Sequence, residues 1–367
     1  MEVEFTPEPA PAPASAPAAA AVVVASPVPS SPAHPDRTTG LVIFGVIQIV
    51  LGLMAALMVP LIALGAFVSR LAPGGSMRPA QYLSAVATYG SFAAAFVALG
   101  IGSVRTKRWA RSLTLVSSWY GLIMGVLITV LLTAVLPVSM RTALQIQQNA
   151  PGAPPAAVST GVMAVILTII IVFCAIFLIV LPIAFVIFYS REDVAATCRD
   201  RDPHEPWTDR TPMPVLGAST VFFLGSLYLL LTGIATPIFP FFGRYLTGIA
   251  ASACFLTLAV VDACIAVALF RLKVAGWWIA VLTVPVRLLS MALTYPKADL
   301  LQAYSRMGWS DAQLQMLQGN PIFRGHVILW WSLLSLVIFL GYLLWVKRYF
   351  KAPPASLGAE TLPVQAG

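Results

Sequence analysis

An all-α membrane protein of about eight transmembrane helices, arranged as a tandem parallel repeat of two four-helix units, is the fold class this sequence predicts. Three observations predict it. Hydrophobic residues make up 59% of the chain and charged residues 10%, whereas soluble domains carry about 25% charged residues. Apolar runs of about 20 residues or more, enough to cross roughly 30 Å of hydrocarbon at 1.5 Å per residue, recur along the chain. A set of landmarks also appears in the same order on both sides of one charged interruption, Cys198 to Leu216.

In chain order, residues 1–35 form a Pro/Ala-rich tail that starts with Glu2, Glu4 and Glu8. Proline at this density favours extended backbone and there is little apolar bulk to offset ordering entropy, so the tail is expected to be disordered. Its acidic start and its short, Ala-rich apolar run, Ala18 to Ala25, argue against a secretory signal. The first unit, 36–190, holds spans at Gly40 to Ser69, Leu83 to Val104, Ser112 to Ser139 and Gly161 to Ser190. A connector at 191–213 follows. The second unit, 214–351, holds spans at Pro214 to Gly243, Leu246 to Phe270, Val274 to Tyr295 and His326 to Val346, and residues 352–367 form a second disordered tail. Pro60, Pro182, Pro237 and Pro285 fall inside these spans and are candidate kinks. Between the last two spans, Ser310 with Gln313 fits a capping box and Gly319 a helix stop, which predicts one short interfacial helix or two in the segment 296–325.

The landmarks of the repeat are specific. Asp36-Arg37-Thr38 and Leu51-Gly52 are echoed by Asp209-Arg210-Thr211 and Leu224-Gly225 at the same separation. Tyr82-Leu83 is echoed by Tyr245-Leu246, and Arg105-x-Lys107 before Trp109 by Arg271-x-Lys273 before Trp277 and Trp278. Leu144-Gln145-Ile146 with Gln148 and Pro151 is matched by Leu314-Gln315-Met316 with Gln318 and Pro321. Units with an even number of spans enter from the same side, so the repeat is parallel, with its pseudo-two-fold along the membrane normal.

The net charge of +8 does not mark a nucleic-acid binder, because the basic residues are spread along connectors rather than gathered on one face. They report topology instead. With the N-terminus inside, fourteen Lys and Arg fall on the inner side, seven on the outer side, and Arg287 within a span. Both termini and the connector are therefore expected to be cytoplasmic, in an inner or plasma membrane. The four cysteines include no CxxC and support neither a disulfide framework nor a zinc site.

Gly100, Gly102, Arg105, Lys107, Trp109, Ala110 and Arg111 form the pattern G-x-G-x-x-basic-x-basic-x-Trp-Ala-Arg, and the connector carries Cys198, Asp202-Pro203, Trp207-Thr208-Asp209, Pro212 and Pro214-Val215-Leu216. This resembles uncharacterised multi-pass bacterial membrane proteins that share the hairpin and a DPxxxWTD connector. The likeness covers the second and third spans and the connector, and it implies no activity. Physically, the basic residues hold a tight turn at the membrane face while tryptophan sits at headgroup level.

Asp262 and Arg287 are the ionised side chains placed well inside a span. Measured from the turn near Lys273 at 1.5 Å per residue, they lie at depths of roughly 16 and 21 Å, close enough for a long arginine side chain to bridge. An intramembrane ion pair is expected, either a structural lock between the sixth and seventh helices or the core of a site. Gly90, Ala94, Ala98 and Gly102 form a small-residue stripe, which predicts close helix packing within the monomer or, failing that, against a second copy or a membrane partner. The connector's Cys198, Asp200, Asp202, His204, Glu205 and Asp209 have metal-type side chains, but the interleaved Arg199, Arg201 and Arg210 and the lack of a ligand spacing argue against a metal.

No cofactor and no catalytic residue is indicated: G-x-S-x-G, H-E-x-x-H and phosphate-binding glycine loops are all missing. The leading functional reading is a non-enzymatic membrane protein with a packing, assembly or regulatory role. The alternative is a small transporter or lipid-handling protein with its site at Asp262 and Arg287. What separates them is whether that pair is sealed or faces a cavity.

Overall fold

The computed structural model describes residues 34–71, 79–148, 160–297, 299–307, 309, 314, 318 and 325–350. Eight helical rods long and apolar enough to cross a membrane follow one another among these residues, so the chain is a multi-pass integral membrane protein. In order they are α1 (Thr38–Leu71), α2 (Pro79–Val104), α3 (Arg108–Gln148), α4 (Thr160–Ala175) continued by α5 (Leu181–Tyr189), α7 (Met213–Ala235), α8 (Ile249–Phe270), α9 (Val274–Thr294) and α11 (Gly325–Val346). The short helices α6 (Glu192–Arg201) and α10 (Leu300–Arg306) lie between spans. Both tails and the Ser310 to Gln313 capping box fall outside the described residues. On that loop the described helix is α10, where the Asp299 carboxylate accepts the backbone N–H of Leu301 at 2.9 Å and of Gln302 at 3.3 Å.

The antiparallel pair α1–α2 is held by backbone-to-backbone approach. A Cβ added at Gly45 would lie 2.8 Å from the Gly100 carbonyl oxygen, and one at Gly100 would lie 2.6 Å from that of Gly45. Further along, one at Gly52 would lie 3.0 Å from the Ala93 oxygen. Without a hydrophobic drive between helices in lipid, such close dispersion contact is the main attraction available. The row of α2 that does this is Ala93, Val97 and Gly100, not the predicted Gly90, Ala94, Ala98 stripe. Ala94 and Ala98 are exposed, a Cβ at Gly90 would meet open space, and Gly102 packs against Trp109 and Ala110 of α3. Within the chain, the face of α2 that packs on α1 is therefore a neighbour of the predicted stripe.

Proline shapes the fourth span. Pro182 has no N–H to offer the carbonyl four residues earlier, that of Leu178, and the helix widens into a π turn over Ile176–Val180. The freed Leu178 carbonyl presses on α3, where a Cβ on Gly125 would lie 1.8 Å from it. Only glycine fits there.

The fifth span is shorter than expected. α7 ends at Ala235, not Gly243, and residues 236–247 turn into an antiparallel hairpin, β1 (Ile238–Phe241) with β2 (Arg244–Thr247). Pro237 therefore ends the span instead of kinking it. Phe242 and Gly243 both take positive φ, 40° and 98°, as a two-residue hairpin turn of this hand requires. The turn is bolted to α9: the Ser290 hydroxyl donates to the Pro240 carbonyl at 2.7 Å and accepts the Phe242 N–H at 3.1 Å, and Thr294 accepts the Gly243 N–H at 3.0 Å.

The connector is ordered and knit to the ends of several spans on one face. Ion pairs join Arg37 to Asp193 at 3.2 Å, Arg201 to Asp36 at 3.0 Å, Lys107 to Asp202 at 3.1 Å and Arg108 to Asp209 at 2.5 Å. Thr211 donates to the Phe270 carbonyl at 3.0 Å. On the same face the turns α2–α3 and α8–α9 are built alike. Thr106 and Leu272 each take positive φ (53° and 54°), and each following lysine N–H returns to a carbonyl five residues back, Lys107 to Gly102 and Lys273 to Ala268. This is the Schellman helix stop, here made without glycine.

Candidate functional site

The ion pair expected from the sequence forms. α8 supplies Asp262 and α9 supplies Arg287 in a bidentate arrangement, Nη1 to Oδ2 at 2.9 Å and Nη2 to Oδ1. The helix spacing makes room for it. Gly225 of α7 faces the carboxylate, and a Cβ there would stand 3.7 Å from Oδ2, while Ser226 and Ser219 draw α7 onto α8 by donating to the carbonyls of Ala259 and Ala266.

The two partners differ in surroundings. The Asp262 side chain is 2% exposed and that of Arg287 is 24% exposed. The Asp262 side chain is almost wholly enclosed, the Arg287 side chain is partly exposed, and both residues border a cavity of about 880 Å³. The Arg287 Nε is nevertheless buried and makes no hydrogen bond. The site is therefore neither the closed lock nor the freely hydrated pair that the sequence left open.

The cavity lies between α3, α7, α9 and α11. α3 packs on α5 and α7 while α11 packs on α9, and the cavity fills the space they leave. Its walls are apolar and aromatic, with Trp119, Ile123, Phe222, Leu288, Phe339 and Trp345 prominent. Among its lining residues Asp262 is the one acid and Arg287 the one base, joined by the hydroxyl-bearing Tyr120, Ser332, Ser335 and Tyr342. The Tyr342 hydroxyl is engaged, donating to the Pro214 carbonyl at 2.5 Å. Counted from the helix ends on the connector face at 1.5 Å per residue, Tyr120, Ser335, Ser332 and Arg287 all fall roughly 16–21 Å deep, so the polar groups form one level within the span. Trp119 and Ile123, at 52% and 44% exposure, stand on the rim although they are mid-span residues, so the mouth opens at membrane depth.

Among the described residues of 36–190 no such charge pair lines a cavity: Gly121 meets only Pro182, and the buried side-chain pairs are neutral, Gln48 donating to Thr114 at 3.1 Å and Ser103 with Tyr189 at 2.5 Å. The sequence also gave a missed signal for the cavity: Ser332 and Ser335, three apart in an apolar run, share one helix face.

The connector's metal-type residues are engaged otherwise. Asp202 is held by Lys107 and by the backbone N–H of Arg108 at 3.3 Å, and Asp209 by Arg108. Cys198 is buried against Leu41, Phe185, Tyr189 and Val194. No cluster of three potential ligands occurs among the described residues. Burial pushes the Asp202 carboxyl up, and the hydrogen bonds from Lys107 and Arg108 with the Lys107 charge more than offset it, leaving it below the usual carboxylate range. Burial, chiefly, pushes the Cys198 thiol up to about 11, where it is inert.

No protein-family model matches this chain, and no curated protein or solved structure matches it either.

Proposed function

We propose that this integral membrane protein handles a lipid: it takes an amphiphile from the bilayer into the cavity between the units, with the polar end at Asp262 and Arg287. One observation carries the reading. The intramembrane charge pair opens on an apolar, laterally exposed cavity instead of being packed shut. A water-soluble substrate would need a hydrophilic lining, whereas a lipid needs aliphatic and aromatic walls with few polar groups. A packing or assembly role, the other reading, has no use for that cavity.

Two features belong to the same proposal. The matched turns at Thr106 and Leu272 support descent of the two units from one duplicated four-helix ancestor. The excess of Lys and Arg on the connector face supports a cytoplasmic position for that face and for both termini.

The test is photo-crosslinking in nanodiscs with a lipid that carries a photoactivatable acyl chain. Adducts are expected at Ile123 and Ile338 in excess of those at Leu57, an exposed α1 residue, and Ser335→Trp, which fills the cavity, should remove the excess. Equal labelling at Ile123, Ile338 and Leu57 would overturn the proposal.

A further inference from the structure

We infer that the ligand of this cavity is a lipid with an anionic headgroup, seated with its head on the guanidinium of Arg287 at mid-membrane depth and its chain leaving sideways past Trp119 and Ile123. The inference rests on the lipid-handling reading and adds the charge and pose of the ligand. Three observations lead to it.

The first is asymmetry of exposure. Asp262 and Arg287 cancel one another in formal charge, yet the Asp262 side chain is 2% exposed and the Arg287 side chain 24%, so of the two a molecule in the cavity has far more access to the basic partner. No second acid lines the cavity to attract a cation.

The second is donor capacity. Bidentate bonding to Asp262 uses one N–H on each Nη, and a guanidinium has five. Each Nη keeps a further N–H. Phosphate and carboxylate oxygens accept such charge-assisted bonds better than neutral acceptors do, and guanidinium is the side-chain group that best matches them.

The third is the placement of the remaining polar groups. Tyr120, Ser332 and Ser335 stand at the depth of Arg287 on facing helices, while the walls on either side of that level are apolar. A headgroup fits this polar level. The exposed Trp119 and Ile123 lie between it and the surrounding acyl chains, so the tail need not be enclosed.

The experiment is native mass spectrometry on the full chain in nanodiscs holding equal amounts of phosphatidylglycerol, phosphatidylcholine and diacylglycerol with identical acyl chains. Retention of the anionic lipid should exceed that of either other lipid by about tenfold, the range expected for hydrogen bonds to a charged group. Asp262→Asn removes the competing carboxylate and should raise the anionic preference further. The double variant Asp262→Asn with Arg287→Gln keeps the shape and leaves no charge unpaired, so it should stay folded and lose the preference. Soluble glycerol phosphate should not compete, which separates a lipid from a free phosphate as the source of the anion. Equal retention of the three lipids in the cavity would overturn this inference and leave lipid handling intact. Absence of any cavity-bound lipid, read by the Ile123 crosslinks, would instead remove the reading on which it rests.

Discussion

The two most closely packed helix pairs, α1–α2 and α7–α8, are held by different means. The first is closed by main chain on main chain, with Gly45 and Gly100 each in the path of the other's carbonyl. The second is closed by hydroxyls, with Ser219, Ser226 and Ser252 donating to carbonyls across the pair at 2.7–2.8 Å. A glycine contact leaves no space and tolerates no polar guest. The serine-stitched pair also has a tight contact, Gly233 against Phe255, yet at Gly225 it leaves room for the Asp262 carboxylate. One pair is scaffold, and the other supports a site.

The sharpest way to break this comparison is to remove one charge. Arg287→Ala leaves Asp262 buried and uncompensated and should cost about 3–5 kcal/mol in detergent unfolding. Asp262→Ala should cost clearly less, because the remaining guanidinium can be solvated from the cavity. Equal costs would mean that the pair is sealed on both sides. Next come the glycines. Gly100→Ala forces backbone apart in α1–α2 and should cost about 1–3 kcal/mol, while Gly225→Ala meets its neighbour at ordinary van der Waals distance and should change stability little. Similar losses at both sites would erase the distinction between the pairs.

Gln48→Leu probes a buried neutral pair on the α1–α2 side of the molecule. It gives up one neutral hydrogen bond to Thr114 and also removes an unsatisfied buried oxygen, so a loss of about 1 kcal/mol or less is expected in the same unfolding assay. A loss as large as that of Arg287→Ala would show a second functional polar centre.

The smallest effect concerns the connector. Because the Asp202 carboxyl is lowered in the folded state, its contribution is fully present above the unfolded value of about 3.9 and disappears as pH falls through the folded value. Acid below about pH 3.9, toward the lowered folded value, should therefore loosen the connector. At neutral pH, Asp202→Asn should do the same, read as faster maleimide labelling of Cys198, whose thiol is otherwise buried. Unchanged labelling would show that the clasp does not depend on Asp202.

What could be read in advance follows from what each signal depends on. Hydropathy integrates over some twenty residues, so eight spans were legible, and so was the Asp262–Arg287 pairing, which needs only helical rise counted from a shared turn. The hairpin was hidden for the same reason. Phe239, Phe241 and Phe242 are as apolar as a helix, and only Pro237, Pro240 and the Phe242-Gly243 turn mark the break. The small-residue stripe had the right period on a helix whose neighbour arrives from another azimuth, and azimuth is set by packing partners, not by spacing along α2. The cavity is a space bounded by helices far apart in the chain. Nothing local to Trp119 or Ser335 encodes that they face one another.

Ser290, which fastens the hairpin, lies one turn beyond Arg287 on α9. A helix is stiff along its axis, so hairpin and guanidinium are two ends of a single short lever. The hydrogen bonds at the Phe242-Gly243 tip restrain the same segment of α9 that carries the guanidinium. The hairpin is thereby fastened to the α9 turn next to the one that carries the charge pair.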